Sequence, residues 1–386
     1  MQMLRWIFLT GIFLNMGFAL MSCSSKLPDP TPLADFSVSA ILDEQWSAHP
    51  NDGNEALLFK LSPASDDDFL YVAGNNGEVS AINSLTGKKF WATTYHEYHF
   101  SSHVGLNSEA IYLGTDTADV VKLDKKTGAL LWAKSVPSTV IAAPLAVGDK
   151  VFVKSINGEV TSLNAQTGTP VWNYQQTLPS LILRDASDSV AYDQLLLVGF
   201  SNGVLIAFEQ LSGNIRWIKQ VSTPEGKTDV ERMADIAATP QMRGNVVYAA
   251  TYQGKMVAFD LRTQDTLWAA DVSTYNDFSL SNTALFVGDN EGNLIAIDRQ
   301  SGAVLWKQDA LRYRYITAPT YIDNDIVAVG DKEGYLHLLS AKDGHFIART
   351  KVHGDGILTA PLYCHGYIIV QTNNGRLYAY RIKQTT

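Results

Sequence analysis

Only two cysteines, Cys23 and Cys364, occur in the chain, so it is not a disulfide-built scaffold. Basic residues are also in deficit. Thirty Lys and Arg stand against 39 Asp and Glu, for a net charge of −9, and the basic residues are scattered, never more than two in a row. A chain of this balance, with no basic stripe, is a poor candidate for nucleic acid. Long helical periods are missing after the first twenty residues, as are the phosphate-cradling glycine loop and the His-Glu-x-x-His pair. Isolated carboxylates abound, but nothing in the sequence pairs two of them as acid and base.

What is present is a repeat. A tryptophan falls fourteen residues after a small turn residue in the pairs Gly77/Trp91, Ala118/Trp132, Gly158/Trp172, Gly203/Trp217, Gly254/Trp268 and Gly292/Trp306. Gly334/Ala348 keeps the spacing without the ring, and Gly375 opens an eighth unit that the chain does not finish. Ten residues after each first landmark comes a second, reading Thr86-Gly87, Thr127-Gly128, Thr167-Gly168, Ser212-Gly213, Thr263-Gln264, Ser301-Gly302 and Asp343-Gly344. Fixed offsets in successive units mean one supersecondary module repeated.

The third unit displays the module. Ile141–Val147 precedes a Gly148-Asp149 turn, and Lys150–Ser155 then alternates apolar and polar residues as a half-buried strand does. Asn157-Gly158 suits a two-residue hairpin with both residues at positive φ, Glu159–Asn164 is a third strand, and Pro170–Gln175 a fourth. Four short antiparallel strands in about forty residues make a propeller blade. The predicted fold is therefore all-β, an eight-bladed β-propeller. Its last blade lacks an outer strand, and Val38–Trp46 is expected to supply one, with Trp46 as the missing ring. Pairing the first strand with the last blade would remove two open edges. Trp46, Trp91, Trp132, Trp172, Trp217, Trp268 and Trp306 are thus assigned structural roles.

Residues 1–22 hold one basic residue, Arg5, then an apolar run ending in Leu20-Met-Ser-Cys23. The run is too short for a membrane span and reads as a secretory signal. Leucine, two further residues and a cysteine fit the bacterial lipoprotein pattern, which makes Cys23 the expected lipidation site. Residues 23–37, with Pro28, Pro30 and Pro32, read as an extended tether, and 38–386 as the propeller. No aspartate follows Cys23 to favour inner-membrane retention, so the expected location is the outer membrane, lipid-anchored and facing the periplasm. With Arg5 removed, the mature charge becomes −10. Cys364, left alone in an apolar strand, is expected to be buried and inert.

Two clusters invite a metal and neither suits one well. His96, His99 and His103 lie within eight residues but belong to a strand end and loop, where such residues also pack. Asp66-Asp67-Asp68 lacks the glycine and distal glutamate of a calcium loop and reads as a solvated turn. No metal and no cofactor is expected.

The irregular feature is spacing. From each ring position to the next unit's turn residue the distances run 27, 26, 31, 37, 24, 28 and 27. The two long gaps follow Trp172 and Trp217, and strand order puts both connections on one face of the ring, side by side. Insertions of this kind commonly form the binding surface of a repeat protein. The first holds Leu178-Pro-Ser-Leu181-Ile-Leu183-Arg184-Asp185; the second holds Asp229-Val-Glu231-Arg232-Met-Ala-Asp235. Apolar anchors beside a guanidinium are what protein interfaces use. The alternative is that the leucines cap the blade interior and Arg184 pairs with Asp235.

The repeat, Ala-Pro followed by Gly-x-Leu-x-Ala-Leu-Asp-x-x-Thr-Gly-x-x-x-Trp, resembles the quinoprotein-type propeller repeat across the mature chain. With the lipoprotein signal and the loops Leu181–Arg184 and Glu231–Asp235, the chain resembles the BamB lipoproteins of the outer-membrane β-barrel assembly machinery. That resemblance implies a non-catalytic scaffold that docks on BamA POTRA domains, joins the other subunits of the machinery and aids delivery of unfolded β-barrel clients. It assigns partner binding to Leu181, Leu183, Arg184, Glu231, Arg232 and Asp235. Where the family has a further aspartate this chain has Ala237. The alternatives are a quinone-dependent periplasmic dehydrogenase, against which stand the absent adjacent cysteines and absent roofing insertions, and a glycan-binding propeller.

Overall fold

A computed structural model of the chain describes residues 28–50, 61–184, 187–322, 324–354 and 356–384. Among these residues there is no helix, and 32 strands form eight four-stranded antiparallel sheets. Blades 1 to 7 follow chain order, each running from an inner to an outer strand; blade 3, for example, comprises Leu145–Val147, Lys150–Lys154, Glu159–Asn164 and Pro170–Gln175. Blade 8 is completed from the other end of the chain. Ala40–Ala48 pairs with Leu377–Gln384, in a register matching Trp46 to Ala379. The expected closure is therefore present, and Trp46 occupies the ring position of blade 8.

The second and third strands of each blade are almost wholly buried, which explains their Val, Ile, Leu and Ala content. Between blades these residues merge into eight apolar clusters, most of them shared by two neighbouring blades. Each fully buried aliphatic or aromatic side chain contributes about 1.5–3 kcal/mol. The outer strands are half exposed.

The ruler residues meet across the seams between blades. Every ring indole but Trp217, which meets Gln264, leans over the glycine that turns the next blade from third to outer strand. A Cβ on Gly87, Gly128, Gly213, Gly302 or Gly344 would lie 2.6–2.7 Å from the ring of Trp46, Trp91, Trp172, Trp268 or Trp306 respectively. Those positions have positive φ as well, so glycine is required twice over. In these six seams the indole Nε1 donates to a backbone carbonyl of the same turn, as Trp132 does to Ala165 (3.1 Å) and Trp306 to Ala341 (2.9 Å). The preceding Asp or Asn closes that turn. Asp124 accepts from the Thr127 N–H and hydroxyl, and Asn164 does the same for Thr167.

The other recurring turn differs from expectation. In Asn76-Gly77 and Asn157-Gly158 only the glycine has positive φ. Gly158 N–H donates to Ser155 O, Ser155 N–H to Glu159 O, and the Asn157 side chain accepts from the Glu159 N–H. The turn is thus a longer loop with one left-handed glycine, and the asparagine serves through its side chain, not its φ.

Residues read as free tether are partly docked. Thr31 N–H donates to Arg312 O and Ser39 N–H to Ile347 O, while Leu33 packs against the buried cluster between blades 6 and 7. From Thr31 onward the segment lies along blade 7. Phe36 lies 5.4 Å from the Phe346 ring, and Ala348, which stands in place of a tryptophan, is buried in the blade 7/8 cluster beside Ala40. Cys23 and the signal segment lie outside the described residues.

Candidate functional site

In this topology the connections from outer to inner strands share one face of the ring with the second-to-third-strand turns. The two long connections, 176–189 and 221–240, therefore emerge together, one after blade 3 and one after blade 4. They are bonded to one another. Asp235 accepts the backbone N–H of Leu183 at 2.9 Å, and the Asp188 N–H donates to Thr239 Oγ1 at 3.0 Å. Lys154, rising from the second strand of blade 3, donates to Ser187 O and Oγ at 3.3 and 3.2 Å.

These anchors are deep. Asp235 is 1% exposed, and burial pushes its carboxyl upward against the opposing pull of hydrogen bonds from Ser201 and Leu183 and the charge of Lys154. Burial likewise brings the Lys154 ammonium down to about 8, opposed by Asp188 and Asp235. Two groups whose charged forms are disfavoured by desolvation form a floor under the loop, and their hydrogen bonds fix its backbone.

The loop divides its side chains accordingly. Leu178 packs on the blade 3/4 cluster, and Ile182 and Leu183 line a cavity of about 20 Å³ over Phe200 and Ile236. Leu181, 39% exposed, and Arg184 point outward. In the second loop Glu231 accepts from the Lys227 and Thr228 N–H groups while Thr228 Oγ1 accepts from Glu231 N–H, a reciprocal cap on one tight turn. Arg232, exposed, pairs with Asp229, and Val230 is also exposed.

Of the residues singled out from sequence, Leu181, Arg184, Glu231 and Arg232 are therefore at the surface, and Leu183 is half-buried. Asp235 is beneath it. It does not pair with Arg184; it holds the Leu181–Arg184 loop through the Leu183 backbone N–H. Ala237 is buried too, at the rim of a cavity of about 60 Å³ with His103, Thr239 and Asp277. Sequence reasoning missed Lys154, whose alternating strand gives no sign that its side chain enters the floor.

The remaining candidates resolve into packing roles. His99 faces Asp116 and His103 faces Asp188, so the histidines address different carboxylates, and no group of three or more potential metal ligands gathers among the described residues. Asp66 is more than a solvated turn: it accepts from Phe69 N–H and Tyr71 OH and pairs with Lys125 of the next blade at 2.7 Å. Cys364 is buried, and burial raises its thiol. Gly199-Phe-Ser201-Asn-Gly203 has the spacing of a nucleophile elbow, but it is a strand-to-strand hairpin with no helix after it, and Ser201 meets Asp235, not a histidine.

The profile of the family described as "Outer membrane protein assembly factor BamB" matches residues 75–308. The chain belongs to the BamB family. A BamB from Burkholderia pseudomallei is 33% identical over 91% of both chains, and one from Escherichia coli K12 is 28% identical over 97% of this chain and 99% of its own. The crystal structure of BamB from Moraxella catarrhalis superposes with a TM-score of 0.81 at 25% identity, covering 88% of this chain and all of that one. Quinohemoprotein alcohol dehydrogenase ADHIIG from Pseudomonas putida reaches 0.73 at 14% identity, a likeness of fold alone. BamB proteins are outer-membrane protein assembly factors.

Proposed function

We propose that this chain is a lipid-anchored scaffold of the outer-membrane β-barrel assembly machinery, held through Cys23 on the periplasmic side of the outer membrane. Its loop-bearing face docks on BamA POTRA domains and so helps position unfolded β-barrel clients for insertion. The observation that carries this reading is the locked pair of loops between blades 3 and 5. An apolar anchor, Leu181, and a guanidinium, Arg184, are presented on a backbone fixed from below by Asp235 and Lys154. A preordered loop loses little entropy on docking, and an arginine beside an apolar anchor is a common centre of interface energy. Glu231 and Arg232 flank it as rim charges, worth less individually.

Calorimetric titration of soluble POTRA domains tests the assignment. Arg184→Ala is expected to weaken binding by roughly ten- to a hundredfold, about 1.4–2.7 kcal/mol. Unchanged affinity would remove this face from the interface.

A further inference from the structure

Blade 7 departs from the other blades in holding a buried ionic cluster beneath the docked N-terminal segment. Arg314, 2% exposed, reaches Asp331 at 2.7 Å, Glu333 at 2.6 Å and the carbonyl of Thr31 at 3.0 Å. His337, fully buried on the third strand, bonds through Nε2 to Asp331 Oδ2 at 3.0 Å. Its Nδ1 is 3.1 Å from Arg349 Nε. Arg349 in turn donates from Nη1 to Ala34 O at 3.1 Å, and its guanidinium lies 4.9 Å from the Phe36 ring and 5.0 Å from Phe346.

The hydrogen-bond directions fix the chemistry of the imidazole. Arg349 Nε can only donate, so His337 Nδ1 must accept, and the ring proton sits on Nε2 facing Asp331. This arrangement requires a neutral ring. A second proton would go to Nδ1, turning the acceptor into a donor aimed at the guanidinium. Arg349 would then have to leave, taking with it the bond to Ala34 O and the stack on Phe36.

We propose that blade 7 is an acid-operated latch on the N-terminal segment: neutral His337 holds Arg349 on Ala34 and Phe36, and protonated His337 expels it and loosens the segment between its bonds at Thr31 and Ser39. The groups facing the ring all bear on this. Asp331 favours the proton, while Arg349 and Arg314 oppose it; Tyr335 neighbours it on the same strand, and Glu333, Lys351 and Asp35 lie at the rim. Burial first, then the two arginines, hold the imidazole below its ordinary value of 6.5 despite Asp331. The sign follows. The open form binds the proton more readily than the closed form, so opening grows as pH falls below about 6.5, by up to about tenfold per unit, until the closed form protonates too. If Cys23 carries the anchor, as proposed above, opening adds these residues to the spacer between lipid and ring.

Hydrogen exchange of the full-length chain in detergent reads this directly, with rates corrected for intrinsic exchange and the blade 6 strand Ala284–Gly288 as internal reference. Residues 31–39 are expected to lose at least tenfold protection between pH 7.5 and 5.5 while the reference keeps its own. His337→Gln, which offers the same acceptor and donor without titrating, is expected to remove the pH dependence. Should that variant pack poorly, Arg349→Ala leaves the histidine in place and is expected to open the segment at every pH. Protection of 31–39 that does not change with pH in the wild type, an undiminished pH response in His337→Gln, or full protection in Arg349→Ala would each overturn the latch.

Discussion

Between blades 5 and 6, Trp268 lies against Gly302 and donates to Arg299 O at 2.9 Å; between blades 4 and 5, Trp217 faces Gln264 and its buried indole N–H has no partner. The two seams were built from the same repeat and differ at two positions. Gln264 keeps the left-handed φ of 60° that glycine would adopt, but it brings a side chain, bonded to Arg262 O at 2.7 Å, to the groove that Trp217 also lines. Within its own blade Trp217 also lacks the aromatic neighbour that Trp268 has in Tyr248, since register puts Leu197 there. The ring stands edge-on to Phe259 at 89° instead. A groove of about 850 Å³ opens beside it, lined by Tyr192, Arg216, Trp217 and Arg262 among others. The lesson is that the tryptophan is only half of the seam: the glycine opposite decides whether the ring locks.

The largest break in this comparison is removal of the strand that makes the last seam. Deleting residues 36–48 takes away Trp46 and its bond to Ser84 O, opens blade 8 and strips the cover from blade 7. The melting temperature is expected to fall by about 10 °C or more, since several kcal/mol are lost at about 2–4 °C each. An unchanged melting curve would show that the ring does not depend on closure.

A reciprocal exchange sharpens the same point at smaller scale. Gly302→Gln forces a Cβ to within 2.7 Å of Trp268 at a φ of 73°, with an expected loss of about 2–3 kcal/mol in denaturant unfolding. Gln264→Gly relieves the left-handed glutamine and lets Trp217 settle, with an expected gain of about 1 kcal/mol. If both substitutions destabilise equally, the two seams do not differ as described.

How far the sequence carried this structure depends on what each residue contacts. The Trp–Gly offsets were legible because both partners recur at fixed spacing, and the unfinished eighth unit announced its own repair by Trp46. The paired long loops were legible as departures from that spacing. The Leu183–Asp235 bond was not, because it joins a side chain to a backbone N–H across 52 residues, a contact open to any residue at the receiving position. Nor was the docking of Thr31 and Ala34, whose partners Arg314 and Arg349 lie 283 and 315 residues away. The turns showed a third kind of miss: the right dipeptide, Asn-Gly, used for a different hydrogen-bond pattern.

The two faces of the ring give the most direct test of function. Leu181 stands on the loop-bearing face, and Leu211, 76% exposed in the turn between the third and outer strands of blade 4, on the opposite one. A photocrosslinking residue at each position in turn, in intact envelopes, reports what each face touches. A BamA adduct is expected from position 181 and none from 211. An adduct from 211 with none from 181 would contradict it.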